Sequence, residues 1–182
     1  MTNALQIRPA QATAGSLAAA RCRRERLTDD AKLALRRLAS SVSVVTCRHD
    51  GHNFAMTATA VSALSMEPPS LLVCVNRSAA LHGALSGTTE FAINILGRDH
   101  VAISKLCSGG ASGEDRFSIG YWETAGAAPI LFDAQAAILC RKDEELHYGT
   151  HTIFVGRIVS VAINGGVDPL IYVDGQYTGR SS

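Results

Sequence analysis

The hydrophobic positions beyond about residue 40 fall into short runs that suit β-strands. Turn-forming residues separate several of the runs, at His49-Asp50-Gly51, Glu67-Pro68-Pro69, Asn164-Gly165-Gly166 and Asp174-Gly175. The predicted strands are Val42–Cys47, Phe54–Val61, Leu71–Val75, Phe91–Leu96, Ala134–Arg141, Thr152–Ile163 and Leu170–Val173. So many short strands with few helical insertions argue against β-α-β alternation. They predict a mainly β fold built as a closed or nearly closed antiparallel barrel.

Three segments have helical character. Thr28 is predicted to cap a helix over Asp29–Ala39, whose apolar face would consist of Leu33, Leu35 and Leu38. Shorter helices are predicted at Ala79–Ser86 and His100–Leu106. Residues 1–27 are rich in Ala, Gln and Thr, and we interpret them as a mobile leader that becomes helical near its end. Residues 28–182 are predicted to form one domain.

Composition and charge narrow the class of protein. A chain of 182 residues with 47% hydrophobic and 18% charged residues can build one core, and its low charge is typical of a protein with an oligomer interface. The formal net charge of +1 does not indicate nucleic-acid or membrane binding. The basic cluster from Arg21 to Arg26 is interpreted as a solvated helix face. Without an apolar run of membrane-spanning length or a secretory pattern, the expected location is the cytoplasm.

The sequence lacks the common signatures of metal, disulfide and Rossmann-type nucleotide sites. Its five cysteines are widely spaced and form no C-x-x-C, and Cys47, Cys74 and Cys140 lie in apolar runs typical of a core. His147 and His151 stand four apart without suitably placed carboxylates, so we expect no metal site. No G-x-G-x-x-G follows a strand. A nucleotide would therefore bind without a Rossmann unit.

Two segments that follow or form predicted strands could bind a ligand. Asn76-Arg77-Ser78-Ala79 precedes a predicted helix, where Ser78 could cap the helix and exposed N–H groups with Arg77 could hold a phosphate. Equally, this segment could be an ordinary cap with a solvated arginine. Phe54–Ala60 mixes small and hydroxylated residues, against which a flat ring could lie. Its alternative is a strand with a threonine-rich exposed face.

Two further segments are open to the same pair of interpretations. Asp115-Arg116-Phe117 follows the glycine-rich stretch Ser108–Gly113, and the arginine and the aromatic ring could clamp a nucleotide or form a surface ion pair beside a core anchor. His151 begins a strongly apolar strand, where it could contact a ligand amide or phosphate or be purely structural.

The order of these segments resembles that of a known family, although no single segment is specific enough to show the resemblance. The succession is Ser-Val-Ser-Val-Val-Thr, Ala-Met-Thr-Ala-Thr, Ser-Met-Glu-Pro-Pro-Ser-Leu-Leu-Val-Cys-Val-Asn-Arg-Ser, Phe-Ala-Ile-Asn-Ile-Leu, Asp-Arg-Phe, His-Thr-Ile-Phe-Val-Gly and Pro-Leu-Ile-Tyr. From about residue 32 to 178 it resembles the short-chain flavin reductases of two-component flavin-dependent monooxygenases, the flavin-reductase-like split-barrel family.

The resemblance implies both an architecture and an activity. The architecture is a Greek-key split β-barrel that forms a homodimer, with the flavin near the subunit interface. The activity is NAD(P)H-dependent reduction of FAD or FMN, with reduced flavin passed to a partner monooxygenase that acts on an aromatic compound. NADH is expected rather than NADPH, because no arginine cluster near His151 indicates a 2′-phosphate site. Hydride passes directly between the cofactors, so no catalytic side chain is expected.

The resemblance also assigns site residues. Those expected to line the isoalloxazine are Ala55, Met56, Thr57, Ala58 and Thr59, with Ser62 nearby. Those expected to hold the ribityl-phosphate region are Cys74, Asn76, Arg77, Ser78 and Ala79, while Asp115, Arg116 and Phe117 would close over the flavin. His151 and Tyr172 match positions that contact the nicotinamide nucleotide. Two departures from the family pattern are Glu67 for the usual Asp and Thr59 for the frequent Ser.

Two other interpretations stay open at this stage. The same barrel could bind flavin as a non-catalytic or redox-sensing module, although such a module has no need of a nicotinamide contact at His151 and Tyr172. A barrel like that of the pyridoxamine-phosphate oxidases would call for more basic residues around the phosphate than Arg77.

Overall fold

The computed structural model describes residues 14–123 and 126–179, which fall into two compact units. One unit ends at Leu38 and contains helix α1, Ala14–Leu35; the other begins at Ala39 and contains all the strands. The first thirteen residues of the predicted leader lie outside the described residues. The division of the chain between residues 27 and 28 stays a prediction, and α1 continues through that point.

The structure corrects the prediction for the helix near residue 30. Thr28 does not begin a helix, because it lies inside α1, where its hydroxyl donates to the Arg24 carbonyl at 2.9 Å. The predicted apolar face is also wrong. Leu33 and Leu35 are 57% and 63% exposed. Residues two apart on a helix point about 200° from each other, so these two leucines do not share one face. Leu38 lies beyond the end of the helix and is exposed as well.

The barrel unit is mainly β, as predicted. Its strands are β1 Ser40–Ser41, β2 Ser43–His49, β3 His52–Ala58, β4 Val61–Met66, β5 Pro69–Asn76, β6 Glu90–Ile95, β7 Trp122–Glu123, β8 Ile130–Leu131, β9 Ala136–Tyr148, β10 His151–Ile163, β11 Ile171–Val173 and β12 Gln176–Thr178. Its helices are α2, Ala80–Gly87, and α3, Val101–Lys105, which continues into a π-helical turn over Leu106–Gly110. Two 3-10 turns span Arg98–His100 and Gly113–Phe117.

Seven antiparallel strands form the main sheet in the order β3-β2-β6-β9-β10-β5-β4. Non-consecutive neighbours such as β2 and β6 require Greek-key connections. One hydrophobic cluster joins Val45 of β2 with Val73 of β5 and Phe154 of β10, so strands far apart in the order share a single core. The sheet therefore curls around this core, and Leu81 and Leu85 of α2 pack into it. The predicted split-barrel fold is confirmed.

Both faces of β2 are buried. Val45 and Cys47 belong to the first core cluster, whereas Val42 and Val44 belong to a second cluster with Leu131 and other residues from outside the main sheet. Because side chains alternate across a strand, this explains why residues 42–47 are continuously buried rather than alternating with polar positions.

The sequence predicted one strand over Phe54–Val61. This prediction is wrong, because β3 ends at Ala58 and β4 begins at Val61.

Asn94 of β6 ties the second cluster together with its side-chain amide. Its Oδ1 accepts a hydrogen bond from the Leu131 amide at 2.8 Å. Its Nδ2 lies 3.2 Å from the Val44 carbonyl and from the Thr46 hydroxyl, and 3.4 Å from the Pro129 carbonyl. The residue is fully buried. The segment Pro129–Leu131 is thus fastened to two strands through one polar side chain.

Cys47 and Cys140 behave as core residues. Burial raises the pKa of both thiols to about 12, and both residues are fully buried with free thiols. Their thiols stay protonated at neutral pH, consistent with their interpretation as small apolar residues. Cys74 is half-buried, and Cys22 is exposed. Among the described residues, none of the helices is long and apolar enough to span a membrane.

Candidate functional site

Residues from three elements meet at one small cavity, and two of the predicted flavin residues, Ala55 and Arg116, line it. The cavity has a volume of about 50 Å³ and is lined by Asn53, Phe54 and Ala55 of β3, Ala80 and Leu81 of α2, and Gly113 and Arg116 of the 3-10 turn. Since a water occupies about 30 Å³, the cavity holds only one or two waters. A flavin would have to lie across its mouth, along the surface of the chain. Such an open site matches a flavin expected near a subunit interface.

A larger cavity of about 200 Å³ lies elsewhere, between β9, β10 and the segment around Ala128. Its walls are mostly small apolar side chains. None of the described residues that line it is a predicted site residue. We give the smaller cavity more weight, because convergence of three sequence segments is chemically more informative than volume.

Strand β3 forms one wall of the candidate site. Ala55 and Ala58 are buried, Met56 and Thr57 are half-buried, and Thr59 is exposed just beyond the strand end. The Thr57 hydroxyl donates to the Ser104 carbonyl at 2.6 Å, so it is engaged within the protein. Thr59 therefore presents the more accessible hydroxyl for a flat ring.

The segment after β5 is held by an Asn-centred turn. Asn76 Oδ1 accepts hydrogen bonds from the Ser78 amide at 3.0 Å and the Ser78 hydroxyl at 2.9 Å. Ser78 is not the cap of α2, which corrects the sequence prediction; Ala79, without a hydroxyl, is the N-cap residue. The start of α2 consequently presents backbone N–H groups beside the cavity, where Ala80 and Leu81 lie. Such groups favour an anion.

Arg77 connects the predicted flavin segment to the predicted nicotinamide segment. Its Nη2 donates to the Gly149 carbonyl at 2.7 Å, and its amide donates to the Thr150 carbonyl at 2.9 Å. The guanidinium group has five N–H donors, so this anchoring leaves donors that can reach a phosphate. The turn between β9 and β10 is thereby fixed against the flavin segment.

His151 opens β10 directly across from Asn76. Its imidazole is exposed, and Nδ1 lies 2.9 Å from the Thr150 hydroxyl. In the tautomer in which Thr150 donates to Nδ1, Nε2 carries the proton and can donate to a ligand oxygen. The structure thus places His151 beside the Asn76–Ala79 segment.

The turn over Gly113–Phe117 is tied to β3 from both sides. The Arg116 guanidinium donates through Nη1 to the Ala55 carbonyl and through Nε to the Ala111 carbonyl at 3.0 Å. Glu114, which the sequence did not single out, accepts from the Asn53 amide at 2.9 Å and from its side chain at 3.3 Å. Arg116 therefore builds the cavity wall.

The other two residues of that motif point in different directions. Phe117 is half-buried, with its ring centroid 5.2 Å from that of Trp122 at an angle of 83°, at the edge of the second core cluster. Asp115 is exposed. Cys107 donates to the Arg116 carbonyl at 3.6 Å, and burial raises its pKa to about 11 although Arg116 opposes the shift. Of the three motif residues, Phe117 matches the core-anchor alternative.

Ser62 and Cys74 flank the β3–β4 bend. Ser62 is exposed on β4 and lies across from Leu72, while the Cys74 amide donates to the Ala60 carbonyl at 3.0 Å. Cys74 thereby fixes the bend that carries Thr59. Neither residue is among the described residues that line the cavity at Ala55.

Tyr172 lies in β11 and is not among the described residues that line the cavity. It pairs with Ser40 on β1 and with Tyr177 on β12, and its ring centroid is 5.2 Å from that of Tyr177. The Tyr177 hydroxyl is 2.9 Å from Ser104 Oγ, and Ser104 in turn holds Thr57. The structure thus links Tyr172 to β3 at Thr57, and links His151 to the Asn76 end of the site.

A buried threonine, Thr152, that contacts two histidines was missed by sequence reasoning. The Thr152 hydroxyl is fully buried and lies 2.8 Å from His82 Nε2 and 2.9 Å from His147 Nδ1. This contact joins α2 to the β9–β10 hairpin. The sequence spacing of His147 and Thr152 gives no signal for it, because His82 comes from a distant segment.

Similarity to known proteins identifies the family of this chain. Residues 35–181 match the family described as flavin reductase like domain. The chain is 41% identical over 150 residues to the reductase component of the FADH2-dependent resorcinol hydroxylase of Rhizobium sp. (strain MTP-10005), covering 81% of this chain and 84% of that protein. It is 35% identical over 149 residues to the FMN reductase (NADH) RutF of Variovorax paradoxus (strain S110), covering 81% and 83%.

A solved structure extends the comparison to three dimensions. BorF, the flavin reductase component of a bacterial two-component tryptophan halogenase, superposes with a TM-score of 0.76 at 29% identity, covering 84% of this chain and 97% of BorF. The family match spans both walls of the cavity and the Tyr172 hairpin. With sequence, fold and comparison in agreement, this chain belongs to the flavin reductase like domain family.

Proposed function

We propose that this protein is an NADH-dependent flavin reductase that reduces FAD or FMN and releases the reduced flavin to a partner monooxygenase. The observation that carries the proposal is the meeting of β3, the start of α2 and the Gly113–Phe117 turn at one cavity, in a chain of the flavin reductase family. The cytoplasm, where NADH is abundant, is the proposed location.

The residues at the cavity fit a flavin on three counts. The small side chain of Ala55, which lines the cavity, allows a flat ring to approach β3. The N–H groups at the start of α2 and the remaining donors of Arg77 suit a phosphate. The exposed Thr59 hydroxyl offers a hydrogen bond at the ring end. Asn76, Ser78, Ala79 and Asp115 complete the proposed flavin contacts.

The chain's own part in the reaction is placement. Bound flavin supplies the hydride-accepting chemistry, at an atom that must lie roughly 3–3.5 Å from the nicotinamide carbon that donates. His151, anchored through the Arg77 contacts to the turn before it, would hold the nicotinamide nucleotide from one side. Tyr172 would hold it from the Thr57 side of β3. Neither task needs an acid–base pair.

A homodimer is the proposed assembly. Beyond Arg157, strand β10 is exposed at every position from Val159 to Ile163. Val159, Val161 and Ile163 are between 46% and 78% exposed, although they are apolar residues in a regular strand. An apolar strand exposed on both faces is typical of a surface that a second subunit covers. A second copy of this chain would also cover part of the open flavin surface.

The partner is proposed from the relatives. The Rhizobium relative is the reductase component of a resorcinol hydroxylase, and BorF is the reductase component of a tryptophan halogenase. Both work with a second enzyme that uses an aromatic substrate. By analogy, we propose a flavin-dependent monooxygenase acting on an aromatic compound as the recipient of reduced flavin.

We expect the purified protein to oxidise NADH only when free flavin is supplied. The measurement is the loss of absorbance at 340 nm with NADH, comparing FAD, FMN and riboflavin, and NADPH in place of NADH. A preference for FAD or FMN over riboflavin would support the phosphate contacts at α2. If absorbance stays constant with every flavin, the protein is a non-catalytic flavin-binding barrel and the proposal fails.

Replacing His151 with alanine should raise the apparent KM for NADH about tenfold and leave the KM for flavin nearly unchanged. The reason is the loss of a donor that faces the nicotinamide nucleotide while the Arg77 anchors of the turn remain. His52→Ala is the matched control, because His52 is an exposed histidine at the β2–β3 turn whose side chain points away from that of Asn53. An equal rise in the KM for flavin would contradict the assignment.

A further inference from the structure

Tyr172, the proposed contact of the nicotinamide nucleotide, lies on a small β-hairpin. Tyr172 lies in β11, three residues long, which pairs with the two-residue strand β1 and the three-residue strand β12. Asp174 and Gly175, both with positive φ, form the tight turn between β11 and β12. A hairpin of this size has little stability of its own. The place of the Tyr172 ring therefore depends on the side chains that fasten the hairpin.

Tyr177 supplies such a fastening. It is the direct cross-strand partner of Tyr172, and the two rings pack with centroids 5.2 Å apart and planes at 60°. The other end of its side chain reaches α3, where the Tyr177 hydroxyl lies 2.9 Å from Ser104 Oγ. Ser104 is fully buried, so this hydrogen bond is sheltered from water.

Ser104 carries the connection on to the flavin wall. Its carbonyl oxygen accepts the hydrogen bond from the Thr57 hydroxyl at 2.6 Å. Thr57 is two residues along β3 from Ala55, on the same face of the strand, and Ala55 lines the cavity. Two residues, Tyr177 and Ser104, therefore stand between the proposed nicotinamide contact and the proposed flavin strand.

We infer that Tyr177 is a positioning residue of the nicotinamide site, which holds the Tyr172 ring in place relative to β3 through its hydrogen bond to Ser104. The inference rests on the proposed function. Loss of the Tyr177 hydroxyl would leave the flavin wall intact, because Thr57 bonds to the Ser104 main chain. It would remove one fastening of the hairpin, whose strand β11 stays paired with β1, and so allow the Tyr172 ring to shift. The effect should therefore fall on NADH rather than on flavin.

Two variants remove this one hydrogen bond from opposite ends. Tyr177→Phe keeps the ring that packs on Tyr172, and Ser104→Ala keeps the carbonyl that holds Thr57. Each should raise the KM for NADH about three- to tenfold, with the KM for flavin within twofold of wild type. The double variant should be no worse than the more affected single variant, because both changes remove the same contact. Tyr121→Phe, at an exposed tyrosine packed on Phe132, is the matched control and should behave as wild type.

The experiment is a set of steady-state titrations, with NADH varied at saturating flavin and flavin varied at saturating NADH, beside a melting curve for each variant. An unchanged KM for NADH, an equal rise for both substrates, or additive effects in the double variant would overturn the inference. If Tyr177→Phe does not fold, the Ser104→Ala titrations decide the matter. Absence of turnover in the wild-type protein would instead refute the proposed function, so the two failures are distinguishable.

Discussion

Replacing Gly156 with alanine is expected to lower the free energy of unfolding by about 3 kcal/mol, and the melting temperature by roughly 6–12 °C. A Cβ atom at this position would overlap Phe91 Cζ and lie 2.8 Å from Cys140 Cβ. Both neighbours are fully buried, so neither can move aside cheaply. Because Gly156 has no side chain, Phe91 can pack against the backbone of β10. Thermal unfolding followed by circular dichroism measures the effect.

Gly83→Ala is the control for this prediction. Gly83 lies inside α2, is exposed, and among the described residues has no atom within 4 Å of an added Cβ. Alanine there should stabilise the protein by about 0.5–1 kcal/mol, because glycine is the poorer helix residue. If both variants changed the melting temperature equally, the Phe91 contact would not be the cause of the loss at Gly156.

Asn94→Ala should cost about 3 kcal/mol of stability, again read from thermal or urea unfolding. The variant leaves the Leu131 amide and the Pro129 carbonyl buried without their Asn94 partner and opens a small cavity. Because these bonds fasten the segment beside Phe117 in the second core cluster, we also expect weaker flavin binding. The loss should appear in a flavin titration below the melting temperature.

Asn164→Ala provides the comparison. Asn164 also donates its side-chain amide to two backbone carbonyls, those of Phe132 and Ala134, both at 2.9 Å, but it is exposed. Water can replace its bonds, so we expect a loss below about 1 kcal/mol. A similar loss at both positions would contradict the claim that burial makes the Asn94 network costly to break.

The strands were predictable because their pattern is local. The turn residues Asp50-Gly51 and Asp174-Gly175 adopt positive φ, and the predicted strands at residues 71–75, 91–96 and 152–163 all appear. Errors arose where the deciding contact is distant or the pattern is ambiguous. The strand predicted across Thr59 is interrupted there, because the Ala60 carbonyl accepts a hydrogen bond from the Cys74 amide of β5. From residue 21 to residue 35 every described side chain of helix α1 is exposed, so the positions of its leucines did not indicate where the helix begins.

The candidate site was predictable as a set of residues but not as an arrangement. Ala55, Arg116 and the Asn76–Ala79 segment were singled out from residue type and resemblance. In the structure Ala55 and Arg116 line one cavity, and the Asn76–Ala79 segment leads into helix α2, whose Ala80 and Leu81 also line it. What each side chain does there is a matter of tertiary contacts. Ser78 bonds to Asn76 rather than capping α2, Arg116 holds β3, and Phe117 packs on Trp122.

The sequence by itself determined the strand pattern, the absence of a Rossmann signature and the order of motifs that indicates a flavin reductase, since these depend on neighbouring residues. Only the tertiary structure decided which groups meet. The bonds of Asn94 to Leu131, of Arg77 to Gly149 and of Tyr177 to Ser104 join residues 37, 72 and 73 positions apart. No local pattern encodes such contacts, because they form only when the curled sheet brings distant strands together.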